Sequence, residues 1–329
     1  MTFFSNLEIK ENIIDFTAES NGNIAMVNAI RRELMSGVTL YALHQDNVTV
    51  YSNISPFYTD FLVKNRLALM PIIYENVNDK NIELHLCDKE DLTKPLKNNS
   101  NTNISVVLDD FQIFEVLEDG QRVGMQNSEV FLYPNMEILW LKPEQQIHLK
   151  YDGFKEGKGY EHAMYQAFRI SNYSTDGTNR YGEPSEIKLS MQGLGRVDPY
   201  NALSVVLNSI NNKIENFSKN IVDVGSGTNI TMIDDHYMQI TISNETFTLC
   251  NIIKYYIMKQ LDELTNKQDD FTSLFNVSSN QVHPLKNEFK LQIQLYEPYS
   301  LTGETDFKNM ILKACDAAKK DIFKIIEQI

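Results

Sequence analysis

The sequence predicts an α+β fold made of two helix-and-strand halves in one chain, the first carrying a β-rich insertion. Three observations lead there. The stretch NIAMVNAIRRELM at 23–35 aligns without a gap with TFTLCNIIKYYIM at 246–258, placing Asn28 over Asn251, Ile30 over Ile253, Arg31 over Lys254 and Met35 over Met258. Both stretches have apolar residues at helical spacing, so the echo is one of amphipathic helices and points to two related halves. Apolar residues alternate on either side of the second copy, the mark of half-buried strands. Finally, residues 41–165 separate the first copy from the next helix of its half, and a segment of that length needs a fold of its own.

Taken in order, residues 23–35 form the first helix. The insertion follows, with predicted strands at 48–51, 104–108, 130–133, 138–141 and 147–151 and polar loops such as 94–101. Residues 175–184 are dense in turn formers and read as an exposed loop. A long helix then ends the first half. Asp198 can cap it, Pro199 suits its first position, and Leu203, Val206, Leu207, Ile210, Ile214, Phe217 and Ile221 make its apolar stripe. The connector after it holds Gly225 and Gly227. That pair lacks the third glycine and the lysine of phosphate-binding loops, so it reads as a linker.

In the second half, Met238, Ile240 and Ile242 alternate as a strand. The echoed helix places Leu249, Ile252, Ile253, Tyr256, Ile257, Leu261 and Leu264 on one face. Phe289, Leu291, Ile293 and Leu295 form another strand. The chain closes with a helix, Thr305 as its N-cap and Asp306 in its first turn, where the helix dipole favours an acid. The predicted divisions are 1–40 with 166–221 for the first half, 41–165 for the insertion, 222–231 for the linker and 232–329 for the second half.

Composition narrows the function. Over 329 residues, 42% are hydrophobic and 10% aromatic, which is globular rather than disordered. The net charge of −14 argues against direct nucleic-acid binding, which needs cationic surface to displace phosphate counterions. Apolar runs are too short for a membrane span, and residues 1–10 lack the pattern of a secretory signal. Cys87, Cys250 and Cys315 are too widely spaced for a disulfide framework or a metal site, so a reducing, intracellular setting is expected.

Chemistry-bearing motifs are scarce. No Gly-x-Ser-x-Gly elbow or His pair at helical spacing occurs. The adjacent carboxylates Asp109 and Asp110, Asp234 and Asp235, and Asp269 and Asp270 are ordinary in a chain with 44 acids, and neighbours point apart. His162 and His283 read as loop-organising histidines rather than catalytic bases. No catalytic residue, metal or cofactor is expected. Two basic groups, Arg31 with Arg32 and Lys64 with Arg66, suit either internal ion pairs or bidentate anchoring of a partner carboxylate.

Several segments together resemble a known family. Asn28-Ala-Ile-Arg31-Arg32-Glu-Leu34-Met35 is similar to the N-x-L/I-R-R-x-L-L signature of the assembly subunits of multisubunit DNA-directed RNA polymerases, namely bacterial alpha, archaeal D and the eukaryotic third-largest subunit. Phe61-Leu-Val-Lys-Asn-Arg66-Leu-Ala-Leu-Met-Pro71-Ile72 resembles their F-x-x-x-R-L-G-L-I-P-L. Gly157-Lys-Gly159-Tyr-Glu161-His162-Ala163 resembles their K-G-x-G-x-E-H-A. In the second half, Phe247-Thr-Leu249-Cys250-Asn251-Ile-Ile253 is similar to H-T-L-G-N-x-L of the archaeal L and eukaryotic eleventh subunits, and His283-Pro284-Leu285 to their H-P-L. The five segments span nearly the whole chain in the family's order. Departures are Ala68 and Cys250 in place of glycines, and Lys64-Asn65 before Arg66.

The resemblance implies a fusion of the two partners, as in large cytoplasmic DNA viruses, which agrees with a composition rich in Asn, Ile, Lys and Tyr. It implies two dimerisation-type half-domains paired within one chain through Ile30, Leu34, Leu249, Asn251, Ile253 and Ile257. Short tethering raises the effective concentration of the second half to the order of millimolar. Asn28, Arg31, Arg32, Arg66, Pro71, Gly157, Gly159, Glu161 and His162 fall at partner-contact positions. The implied partners are the largest and second-largest polymerase subunits and small polymerase subunits, in the host cytoplasm and the virion, with no membrane or direct nucleic-acid contact. A free-standing small-molecule enzyme and a nucleic-acid binder outside any polymerase are the competing readings. Nucleotide turnover by the chain alone would mark the first, and a salt-sensitive gel shift the second.

Overall fold

A computed structural model describes residues 3–19, 23–178, 184–222, 228–243, 247–264, 275–281, 288–296 and 303–329. The architecture is mixed α+β, with 37% of the described residues helical and 36% in strands. The chain starts with β1 (Asn6–Lys10), β2 (Ile13–Glu19) and helix α1 (Ile24–Ser36). Ten strands follow: β3 (Thr39–Ala42), β4 (Val48–Asn53), β5 (Ile82–Leu86), β6 (Leu96–Lys97), β7 (Ile104–Val107), β8 (Gln112–Val116), β9 (Arg122–Met125), β10 (Glu137–Leu141), β11 (Gln146–Asp152) and β12 (Lys155–Lys158). Then come β13 (Phe168–Asp176), β14 (Glu186–Gly193) and α2 (Pro199–Val222). The last part comprises β15 (Thr228–Met232), β16 (Tyr237–Ser243), α3 (Phe247–Leu264), β17 (Phe275–Gln281), β18 (Glu288–Leu295) and α4 (Glu304–Ile326).

Two compact units result. The first takes Met1–Glu33, Ile170–Met191 and Leu203–Ile329; the second takes Leu34–Arg169 and Gln192–Ala202. The first unit holds two four-stranded sheets, ordered β1-β2-β14-β13 and β15-β16-β18-β17. These are one plan used twice. Each part runs strand, strand, helix, strand, strand, helix, and each sheet places its strands first, second, fourth, third. In the second sheet the register pairs Ile240 with Leu291 and Val277 with Ile293, so the apolar residues of all three strands share a face. The helices of the echo also match. Both begin one residue into the aligned stretch, at Ile24 and Phe247. They bury the same positions: Met26 and Leu249, Val27 and Cys250, Ala29 and Ile252, Ile30 and Ile253, Leu34 and Ile257.

The second unit centres on a six-stranded sheet ordered β4-β11-β5-β8-β9, with β6 also on β11. Two-stranded pairs β10–β7 and β12–β3 complete it. One face of β5, β8 and β11 supplies Leu84, Leu86, Ile113, Leu149 and Tyr151 to an apolar core that also takes in Leu67, Ile72 and Phe131. The helix start signal behaves as expected at α2: Asp198 Oδ2 accepts from the Asn201 amide at 2.9 Å.

Three expectations are corrected. Residues 130–133 are not a strand; Asn127–Val130 is a helical turn, and Phe131 makes a single bridge to Ile72. The cause is bonding between side chains and the backbone. Gln126 N–H donates to Glu129 Oε2 at 2.7 Å, and Asn127 Nδ2 donates to the Leu108 and Phe111 carbonyls, each at 2.8 Å. Thr305 does not cap the last helix. Gly303 occupies that position with φ 146°, so Thr305 lies inside the first turn beside Glu304 and Asp306. Residues 175 and 176 finish β13 rather than opening a loop. The connector at 223–227, with Gly225 and Gly227, and the segment with His283, Pro284 and Leu285 lie outside the described residues, as do Asp269 and Asp270. Among the described residues, no helix is long and apolar enough to cross a membrane.

Candidate functional site

In the second unit the structure brings together two of the segments singled out in the sequence. The first, residues 61–72, opens as a π-helical turn at Leu62–Arg66, where the Leu67 amide reaches the Leu62 and Val63 carbonyls. Leu62, Val63, Leu67 and Met70 turn inward, which leaves Lys64, Asn65 and Leu69 on the surface. Arg66 sits 5.2 Å above the Phe57 ring, and its Nη2 donates to the Glu137 carbonyl at 3.2 Å. Phe57 stacks on Phe61 at 6.0 Å and meets Trp140 edge-on at 6.0 Å. Arg66 is therefore anchored by a ring and a carbonyl on one side. Half-buried Pro71 accepts from the Leu132 amide at 3.1 Å.

The second segment, 157–165, packs beside it: the turn at Ala163–Tyr165 neighbours the turn at Leu67–Leu69. Its glycines are required by close approach. A Cβ on Gly157 would fall 2.4 Å from the Tyr165 ring, and one on Gly159 would fall 2.8 Å from the Met35 carbonyl oxygen. The Tyr160 amide bonds to the Ser36 carbonyl at 3.2 Å, so this strand end lies against the end of α1. Glu161 and His162 are exposed. Glu161 closes a turn through the Lys158 amide at 3.3 Å, and His162 Nδ1 accepts from the Met164 amide at 3.2 Å. His162 organises the loop, as expected of it.

A residue missed in the sequence joins these segments. Arg196 is 4% exposed, and its Nε donates to the Ile72 carbonyl at 3.3 Å. Its Nη2 donates to the Tyr41 carbonyl at 2.5 Å, and its Nη1 to the Met164 carbonyl. Burial pulls its pKa down to about 10, with Tyr165 acting weakly the other way. A single arginine in a Gly-Leu-Gly-Arg stretch carries no periodic signal, and only the tertiary fold reveals its three acceptors.

The remaining segments lie in the first unit. Arg31 is half-buried and donates from Nε to Asn28 Oδ1 at 3.1 Å, while Arg32 is exposed. Burial and the neighbouring Arg32 lower the Arg31 pKa. The echoed helices carry a buried polar residue at the same aligned position, Glu33 in α1 and Tyr256 in α3. Each ties its helix to the last helix of its own half. Glu33 accepts from Lys213 of α2, and Tyr256 donates to Asp321 Oδ2 of α4 at 2.8 Å. Asn23 adds a link between halves: its Nδ2 donates to the Tyr256 hydroxyl at 2.8 Å, and its Oδ1 caps α1 through the Met26 amide at 3.0 Å. Exposed Asn251 accepts from Ser279 at 3.2 Å.

Cys87, Cys250 and Cys315 are buried, and burial pushes the Cys87 and Cys315 thiols up to about 11, away from the reactive thiolate. Among the described residues, no group of three or more His, Cys, Asp or Glu is placed to hold a metal ion. Asp110 is used internally, accepting from the Val107 amide at 3.0 Å and pairing with Lys89. No protein-family model matches the chain, and no curated protein matches it.

Proposed function

We propose that this chain is a non-catalytic assembly-platform subunit of a DNA-directed RNA polymerase. In this reading its two half-domains pair into one platform on which the two large catalytic subunits assemble. The observation that carries it is the duplicated plan of the first unit: two sheets of the same strand order, each bearing an echoed helix with the same buried positions. A chain that repeats one half-domain beside itself reproduces internally what a two-subunit pairing would supply. The five ordered segments of the resemblance add the polymerase context.

Arg31, Arg32, Arg66 and the 157–162 loop are the proposed partner contacts. Purification of the tagged chain from its native source tests the reading by recovering two much larger polypeptides with it. Replacing Arg31 and Arg32 by Ala together should weaken that recovery while the isolated chain keeps its fold. Unfolding of the double variant would instead assign both arginines to internal ion pairs.

A further inference from the structure

We infer that Arg196 is a positioning residue that makes segments 61–72 and 157–165 one composite surface. This rests on the proposed function, which places partner contacts on both segments. Each of three guanidinium nitrogens is committed to a different stretch of main chain: Tyr41 in β3, Ile72 at the end of the first segment, and Met164 within the second. The two surface segments are far apart in sequence, and their turns are neighbours in space. A planar fork with fixed donor directions sets a distance and an angle between the strands of chain it bridges, which a flexible ammonium does not.

The surroundings reinforce that role. The Tyr74 amide donates to the Arg196 carbonyl at 2.8 Å, so the main chain of 196 also binds the stretch that follows Ile72. The Asp198 amide donates to Glu75 Oε1 at 2.6 Å, and the Leu194 amide to the Ala167 carbonyl at 2.9 Å. The short stretch 192–202 is thus bonded to both segments through the Arg196 side chain and to the chain just beyond each through Tyr74, Glu75 and Ala167. Arg196 reaches no surface, so its effect on a partner must pass through the residues it holds.

Hydrogen–deuterium exchange on the full-length chain tests this, comparing wild type with Arg196→Met and Arg196→Lys. Both variants orphan buried carbonyls, so amides in 61–72 and 157–165 should exchange about tenfold faster or more. Amides in α3 serve as the control and should keep their rates. Lysine retains the charge but bonds one carbonyl at a time, so Arg196→Lys should resemble Arg196→Met; full rescue by lysine would overturn the argument. Unchanged exchange in the two segments would overturn it too, as would equal acceleration in α3, which would mark a general stability residue. The same variants should recover less of the large polypeptides. If wild type recovers none, the proposed function fails, and the exchange data still decide the role of Arg196.

Discussion

Removing one hydroxyl should loosen the helices of the first unit. Tyr256 is buried, and its hydroxyl donates to the Asp321 carboxylate and accepts from Asn23, each at 2.8 Å. Burial and the Asp321 charge hold its pKa far above the ordinary phenol value, so it stays a neutral donor at all working pH. In Tyr256→Phe the ring still packs, and only the two bonds are lost. A bond to a charged acceptor contributes about 1.5–3 kcal/mol and a neutral one about 0.5–1.5 kcal/mol. Asp321 is 21% exposed and keeps Lys324 at 2.8 Å, so water and the lysine recover part of the loss. The net expectation is about 2 kcal/mol, a factor of about 30 in the opening equilibrium. Native-state hydrogen exchange of α3 and α4 reads this directly, and fluorescence of Trp140, the sole tryptophan, checks that the second unit is intact. A change below about twofold in both helices would refute the claim that this triad ties them together.

Three further outcomes follow from local geometry. Tyr151 is fully buried with no partner for its hydroxyl among the described residues, so Tyr151→Phe should stabilise the chain by about 1 kcal/mol in urea unfolding; destabilisation would show that the hydroxyl is satisfied. Gly159→Ala should cost about 1–3 kcal/mol, because its Cβ would meet the Met35 carbonyl and the Ser36 Cα at 2.8 and 2.9 Å. An unchanged melting temperature would contradict that approach. Burial lowers the pKa of His85 below 6.5, against the raising effect of Glu83 at 3.3 Å, with Lys150 and Arg122 lowering it further. The unfolded chain therefore takes up the proton first as pH falls through about 6.5, and stability is lost from there down to the folded pKa. His85→Gln should flatten the fall in urea midpoint as pH drops below about 6.5, and an identical slope would exclude His85 as its source.

What the sequence made legible was whatever repeats at a regular period. The stripe of α2, the alternation of β16 and β18 and the echoed helices were readable because burial there follows one face of one element. Asp198 and Pro199 marked the start of α2 because capping is local. Residues 130–133 misled because an apolar run followed by proline fits a strand, while the deciding bonds came from the Asn127 side chain to distant carbonyls. Thr305 misled because the chain turned at Gly303, whose positive φ leaves no signal beyond the glycine itself. The candidate surface was half legible. Arg66, Gly157 and Gly159 stood out as motif residues, but the Phe57 ring under Arg66 and the three carbonyls around Arg196 are products of tertiary packing.

The central claim is that one copy of this chain does the work of a paired assembly platform. Native mass spectrometry of the complex purified on a tag at this chain tests it most directly. The account predicts a particle containing one copy of this chain with two much larger polypeptides, and no second copy. Recovery of the chain alone, or of a complex holding two copies of it, would contradict the account.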